Sequence, residues 1–296
     1  MRKLFVILTF VILTSGAYAQ ESCCSPSGKQ DKSSTSTKTA GDAVAMFASN
    51  ADDPNFVAAH LAPKPVAPVN GRGAMIELTL ADRSKASAYF VRANSKSNKW
   101  LIVFHEWWGL NDYIKNEAEK YANAFPNLNV LALDLYDGQV TASPDTAAMI
   151  MKGIKTERSM KIIEAAKKHV GGAAEVATLG WCFGGAMSMQ AAIIFGKQAK
   201  ACVMYYGMPE MDAKKLKNLT APLLGIFAEK DTWINRDVIN GFDKVYRTFK
   251  RKYEIKWFDA VHAFANPSNP EHNSAMAAEA EELSMKFIKT HLMGKK

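Results

Sequence analysis

Leu179-Gly180-Trp181-Cys182-Phe183-Gly184-Gly185 is the stretch whose reading decides the fold. The apolar run Glu175-Val176-Ala177-Thr178-Leu179 leads into it, and an Ala/Met-rich helical pattern, Ala186 to Ile194, leads out. A strand that turns at once into a helix leaves the middle residue of Gly-x-Cys-x-Gly at a sharp, crowded bend. Glycines on either side allow that bend, because a Cβ at Gly180 or Gly184 would strike neighbouring main chain. In this setting Cys182 stands where a nucleophile is presented. Taken alone, it would also fit as a small apolar residue in a Gly-rich turn.

Outward from the bend the pattern is regular. Residues 74–80 and 86–91, separated by Asp82-Arg83-Ser84-Lys85, read as an antiparallel pair. Strand-like runs follow at 100–105, 128–133, 175–179, 201–205, 222–228 and 254–258. Helical segments are expected between them at 112–125, 144–169, 184–197, 235–250 and 271–292. Near-continuous apolar strands alternating with amphipathic helices predict a mostly parallel sheet covered on both faces. About 225 residues, from 72 to 296, suffice for one such α/β domain with a substantial core.

The start of the chain reads differently. Met1-Arg2-Lys3, the apolar run Leu4 to Leu13 and Ala17-Tyr18-Ala19 form the pattern of a secretory signal peptide over 1–19, too short to span a bilayer. The expectation is an exported protein, periplasmic or secreted, with no stable membrane insertion. Residues 20–71 read as a Ser/Thr/Lys-rich flexible tail, a short helical segment from Ala43 to Leu61 broken at Asp52-Asp53-Pro54, and a stiff Pro-rich connector. Adjacent Cys23 and Cys24 have no partner ligand nearby and make a weak metal site, so no metal is expected. The formal net charge of +8 falls by two once Arg2 and Lys3 leave. No Lys/Arg cluster with interleaved aromatics accompanies it, which argues against nucleic acid as a partner.

A cysteine nucleophile needs a base, and the base needs an orienting group. Leu223 to Ala228 runs into Glu229-Lys230-Asp231, and Ile255 to Phe258 runs into Asp259-Ala260-Val261-His262. Cys182, Asp231 and His262 therefore fall beyond the carboxyl ends of parallel strands, where ligands bind in open α/β sheets. Individually, Asp231 could be a helix N-cap and His262 a surface histidine. Together, in the order nucleophile, acid, histidine, they predict a triad. His60, His105, His169, His272 and His291 lack that setting and are set aside as structural or solvated. Cys202, within a strand, reads as a buried structural cysteine. The stretch His105-Glu106-Trp107-Trp108-Gly109 ends another strand on the same edge. The amides of Phe183 and Trp107 are the candidate oxyanion donors. Glu106 reads equally as a charge beside the thiol or as a buried carboxylate satisfied by local amides. Trp108, Tyr136 and Tyr206 are candidates for an aromatic pocket.

His-Glu-Trp-Trp-Gly, Gly-Trp-Cys-Phe-Gly-Gly, the Asp231 loop and Val-His-Ala-Phe together resemble the dienelactone hydrolase family, over roughly residues 74 to 292. The resemblance implies an α/β-hydrolase fold and hydrolysis of an ester or lactone through a Cys–His–Asp triad without a cofactor. In that family the glutamate matching Glu106 contacts the resting cysteine and is displaced when substrate binds. One departure stands out. Family members acting on dienelactone hold its carboxylate with arginines, one of them in a His-x-Phe-x-Arg arrangement. Here that run is His262-Ala263-Phe264-Ala265-Asn266, and a neutral amide is no substitute for a guanidinium fork. Asn266 is carried forward as a candidate substrate contact and Arg158 as a possible replacement arginine.

The expected function is thus an exported carboxylic ester hydrolase, monomeric or weakly dimeric, acting on a small-molecule ester or lactone. The alternatives are a thioesterase or peptidase using the same triad, and a non-catalytic ligand-binding module on the same fold.

Overall fold

In the computed structural model, which describes residues 43–294, the chain builds an eight-stranded sheet in the order β1-β2-β4-β3-β5-β6-β7-β8. Its strands are β1 (Ala74–Thr79), β2 (Lys85–Val91), β3 (Lys99–Phe104), β4 (Asn129–Leu133), β5 (Glu175–Trp181), β6 (Ala199–Tyr205), β7 (Leu223–Ala228) and β8 (Tyr253–Phe258). β2 pairs antiparallel with β1 and with β4, and every pairing from β4 through β3 to β8 is parallel. The expected α/β fold with a mostly parallel sheet is the one observed. Composition explains the order. β4 and β7 are buried at every position, as central strands covered on both faces must be, while β1 is largely exposed at the sheet edge.

Helices close both faces. Cys202 on β6 faces Ser188 of α6 (Phe183–Phe195), with Sγ 3.7 Å from the hydroxyl. Tyr205, three residues on and so on the opposite face, donates its hydroxyl to the Ala280 carbonyl of α7 (Ser274–Ile288). α3 (Asp112–Ala124) lies on the α7 side, tied to it by the Lys120–Glu281 ion pair. The helix expected over 144–169 is two: α4 (Pro144–Gly153) and α5 (Thr156–Val170). Gly153 ends the first, and Ile154 and Lys155 take extended backbone.

The short helical segment is α1 (Ala43–Asn50) and α2 (Pro54–Ala59), interrupted where Asp53 caps α2 through the Asn55 N–H and Pro54 occupies the first turn. These helices are packed, not trailing. Phe47 and Phe56 are fully buried, Phe47 against Phe183 and Phe56 against Trp107 and Trp233. Residues 43–71 therefore belong to the same compact unit as the sheet. The leader 1–19, the Ser/Thr/Lys tract and Cys23 with Cys24 lie outside the described residues. Among the described residues no helix is long and apolar enough to cross a membrane.

Candidate active site

Cys182 sits between β5 and α6 with φ 56° and ψ −121°, a backbone conformation that costs energy for any residue with a Cβ. The surroundings hold it there. A Cβ on Gly180 would come within 2.0 Å of the Gly184 carbonyl oxygen, and one on Gly184 within 2.4 Å of the Phe104 oxygen. The Cys182 N–H donates to the Tyr205 carbonyl at 3.0 Å, and its own carbonyl accepts from Gly185. The bend thus wedges the sulfur up at the centre of the sheet's carboxyl edge.

β5, β7 and β8 run parallel, so the residues after each arrive at one edge. The His262 Nε2 lies 3.2 Å from Cys182 Sγ, and its Nδ1 donates to Asp231 Oδ2 at 2.5 Å. Asp231 Oδ1 accepts from the N–H groups of Trp233 and Ile234, at 3.0 and 2.9 Å, which fixes the carboxylate. Burial alone would raise the Asp231 pKa, but the His262 charge and these donors hold it below the ordinary value of 3.8. His262 is pushed well up: burial opposes its charge, and Asp231 and Cys182, through charge and hydrogen bonds, together outweigh that opposition. Burial pushes the Cys182 thiol up, and the Glu106 charge adds to it, while His262 and the Phe183 N–H favour the thiolate. One proton is therefore contested between Sγ and Nε2.

Glu106, after β3, is buried, and that burial lifts its carboxyl to about 7. Its oxygens are taken by Tyr206, whose hydroxyl donates to Oε1 at 3.2 Å, and by the Nδ2–H of Asn266, which donates to Oε2. Asn266 itself is 1% exposed, and its oxygen accepts from the Ser268 N–H and hydroxyl. It faces Glu106 with both ends of its amide engaged. A buried carboxylate is the strongest acceptor within reach of that amide. Arg158 is committed elsewhere, to Asp137, the Ser84 hydroxyl and the Lys85 carbonyl.

The aromatic candidates surround this edge. The Tyr206 ring is 5.0 Å from that of His262, and Tyr136 stacks on Phe183. The Trp107 indole N–H and the Tyr136 hydroxyl are buried without hydrogen-bond partners. Trp108 is 6% exposed, and its main-chain carbonyl accepts from the Thr141 N–H. His105 is structural, donating Nδ1–H to the Glu106 carbonyl and accepting the Leu135 N–H at Nε2.

Sequence reading missed His60. One residue beyond α2, it donates Nδ1–H to the Phe56 carbonyl at 2.8 Å, stacks on Trp107 and brings Nε2 to 3.8 Å from Cys182 Sγ. Burial depresses it to about 3, so it is neutral at ordinary pH. With α2 in place, Cys182 is 1% exposed.

A parallel sheet that delivers a thiol at a βα elbow, then an acid, then a histidine to one edge is the architecture of an α/β-hydrolase. Solved structures agree on the fold. A dienelactone hydrolase-like promiscuous phosphotriesterase from metagenomic libraries matches with a TM-score of 0.63 at 20% identity, over 75% of this chain and all of that one. Dienelactone hydrolase from Anabaena variabilis matches at 0.56 and 17%, over 75% and 98%. The family model for the dienelactone hydrolase family matches residues 86–292. A protein of Aquifex aeolicus, provisionally named a carboxymethylenebutenolidase, is 30% identical over 219 residues, covering 68% of this chain and 94% of its own. The chain belongs to the dienelactone hydrolase family, and it is a hydrolase.

Proposed function

We propose that the protein cleaves small carboxylic esters or lactones through an acyl-thioester on Cys182. The supporting observation is the continuous line from Cys182 Sγ through the His262 ring to Asp231, at 3.2 and 2.5 Å. His262 Nε2 takes the thiol proton as Sγ attacks the carbonyl carbon. The oxyanion that forms is held by the Phe183 and Trp107 N–H groups, the first of them at the N-terminus of α6. Collapse expels the alkoxide, which takes the proton back from His262. Water, deprotonated by the same nitrogen, then releases the acid from the thioester.

Glu106 acts beside the nucleophile without bonding it. While ionised it disfavours a free thiolate, protecting the sulfur until a carbonyl is present. Asn266 and Tyr206 position Glu106 and do not grip substrate. Trp108 and Tyr136 remain the candidate pocket walls. With Asn266 turned to Glu106 and Arg158 bound to Asp137, neither supplies a fork for a substrate carboxylate, so neutral esters and lactones are the preferred class. The relative named a carboxymethylenebutenolidase supports lactone chemistry in general. Export, read from the leader, completes the proposal, with a monomer or weak dimer as the working form.

The test is a hydrolysis panel of dienelactone, a neutral lactone and short p-nitrophenyl esters. The proposal expects turnover of the neutral compounds to exceed that of dienelactone. Dienelactone as the strongly preferred substrate would contradict it.

A further inference from the structure

The triad needs one histidine, and the site holds two. His60, Cys182 and His262 each offer one ligand atom, and these atoms all lie within 4.8 Å of one another; the Nε2 atoms of His60 and His262 are 3.8 and 3.2 Å from Cys182 Sγ. Each ring is oriented from behind. The Phe56 carbonyl takes the His60 Nδ1–H, and Asp231 takes that of His262, so both Nε2 atoms are turned toward the sulfur. A carbonyl or carboxylate on the far nitrogen is the arrangement that orients histidines around a metal. The spacing fits as well. With zinc–sulfur and zinc–nitrogen bonds of about 2.3 and 2.0–2.1 Å, tetrahedral geometry separates sulfur from each nitrogen by about 3.5 Å. The observed separations, 3.2 and 3.8 Å, bracket that value.

We propose that His60, Cys182 and His262 form a Cys-His₂ site for a zinc-class divalent ion, open at its fourth position, whose occupation blocks the nucleophile. Sulfur with two imidazoles selects Zn²⁺ or Co²⁺ over Mg²⁺ or Ca²⁺. The charges of the ligand set close: a divalent ion, the Cys182 thiolate and the Asp231 carboxylate behind His262 sum to zero. So does the proton balance. Sγ and His262 Nε2 share one proton, and binding forms the metal–sulfur and metal–nitrogen bonds and releases that proton to solvent. His262, the most exposed of the three, is the edge by which an ion enters. The inhibitory consequence rests on the proposed role of Cys182, whereas the binding itself does not.

The experiment is a Co²⁺ titration of the full chain carrying Cys23→Ser and Cys24→Ser, which removes the thiols outside the described residues. The expected result is one equivalent bound, with a thiolate-to-cobalt charge-transfer band, one proton released per ion and displacement by Zn²⁺. His60→Gln should weaken binding by at least about 100-fold, and Cys182→Ser should abolish the band. Acylation of Cys182 by an activated ester is read separately on metal-free protein. If acylation fails while cobalt binds as described, the metal site stands and the hydrolytic reading falls. Absence of the charge-transfer band in the starting protein would overturn the site regardless of how any variant folds. Unchanged cobalt affinity in a folded His60→Gln protein would overturn it too.

Discussion

The side-chain amide of Asn266 donates to the Glu106 carboxylate, and both residues are buried. The asparagine turns inward and holds a carboxylate whose charge raises the Cys182 pKa.

Glu106→Gln removes that charge while keeping the amide-sized group. Thiolate becomes easier to form, so alkylation of Cys182 by iodoacetamide should accelerate. Glu106 titrates near 7, so the variant and wild type should differ above about pH 7 and converge below it, where the native carboxyl is already neutral. Equal rates at pH 8 would contradict this account of Glu106.

Asp231→Asn keeps the shape of the acid and loses its charge. His262 would then be free to adopt the tautomer that presents a proton, not a lone pair, to Sγ. A loss in kcat on the order of 10³–10⁴ is expected, with KM changed far less. Steady-state kinetics on a p-nitrophenyl ester measures it, and a loss under tenfold would remove Asp231 from the mechanism.

His60 makes a pH-dependent contribution to stability. The unfolded chain takes up a proton on this residue near pH 6.5, the folded chain only near 3. Between those values the unfolded state holds more protons, so stability falls as pH drops, by about 1.4 kcal/mol per pH unit. Glu106, raised from 4.5 to about 7, acts in the opposite sense over its own window and masks the loss above about pH 4.5. His60→Gln should flatten the urea midpoint against pH between about 3 and 4.5 and, between about 4.5 and 6.5 where Glu106 then acts alone, make it rise as pH falls. Parallel curves for the two proteins would contradict the buried neutral state.

Gly184→Ala places a Cβ within 2.4 Å of the Phe104 oxygen and 2.5 Å of the His105 oxygen, both main chain and unable to give way. A destabilisation of about 1–3 kcal/mol is expected, and the elbow should shift enough to depress turnover. Thermal unfolding and kinetics together test it. A variant as stable and active as wild type would mean that the elbow relaxes freely.

What the sequence carries plainly is what is local. The Gly-x-Cys-x-Gly bend, the apolar strands and the positions of Asp231 and His262 just past strand ends are each set by a few neighbouring residues, and parallel topology gathers them. The break at Ile154 and Lys155 was hidden because helix-compatible residues continue on both sides of it. His60 was invisible for a different reason. It stands 122 residues from Cys182, after a six-residue helix too short to show periodicity, and only tertiary packing of Phe47 and Phe56 brings it to the thiol. Asn266 was noticed for what it lacks. Its bond to Glu106 depends on a side-chain direction that no spacing reveals.

The most direct test of the central claim is intact-mass spectrometry of acid-quenched enzyme after brief mixing with a p-nitrophenyl ester. The account predicts an acyl adduct that maps to Cys182, is cleaved by neutral hydroxylamine, and is absent in Cys182→Ala along with at least about 10³-fold of the hydrolysis rate. Undiminished hydrolysis by Cys182→Ala, or an adduct on another residue, would contradict it.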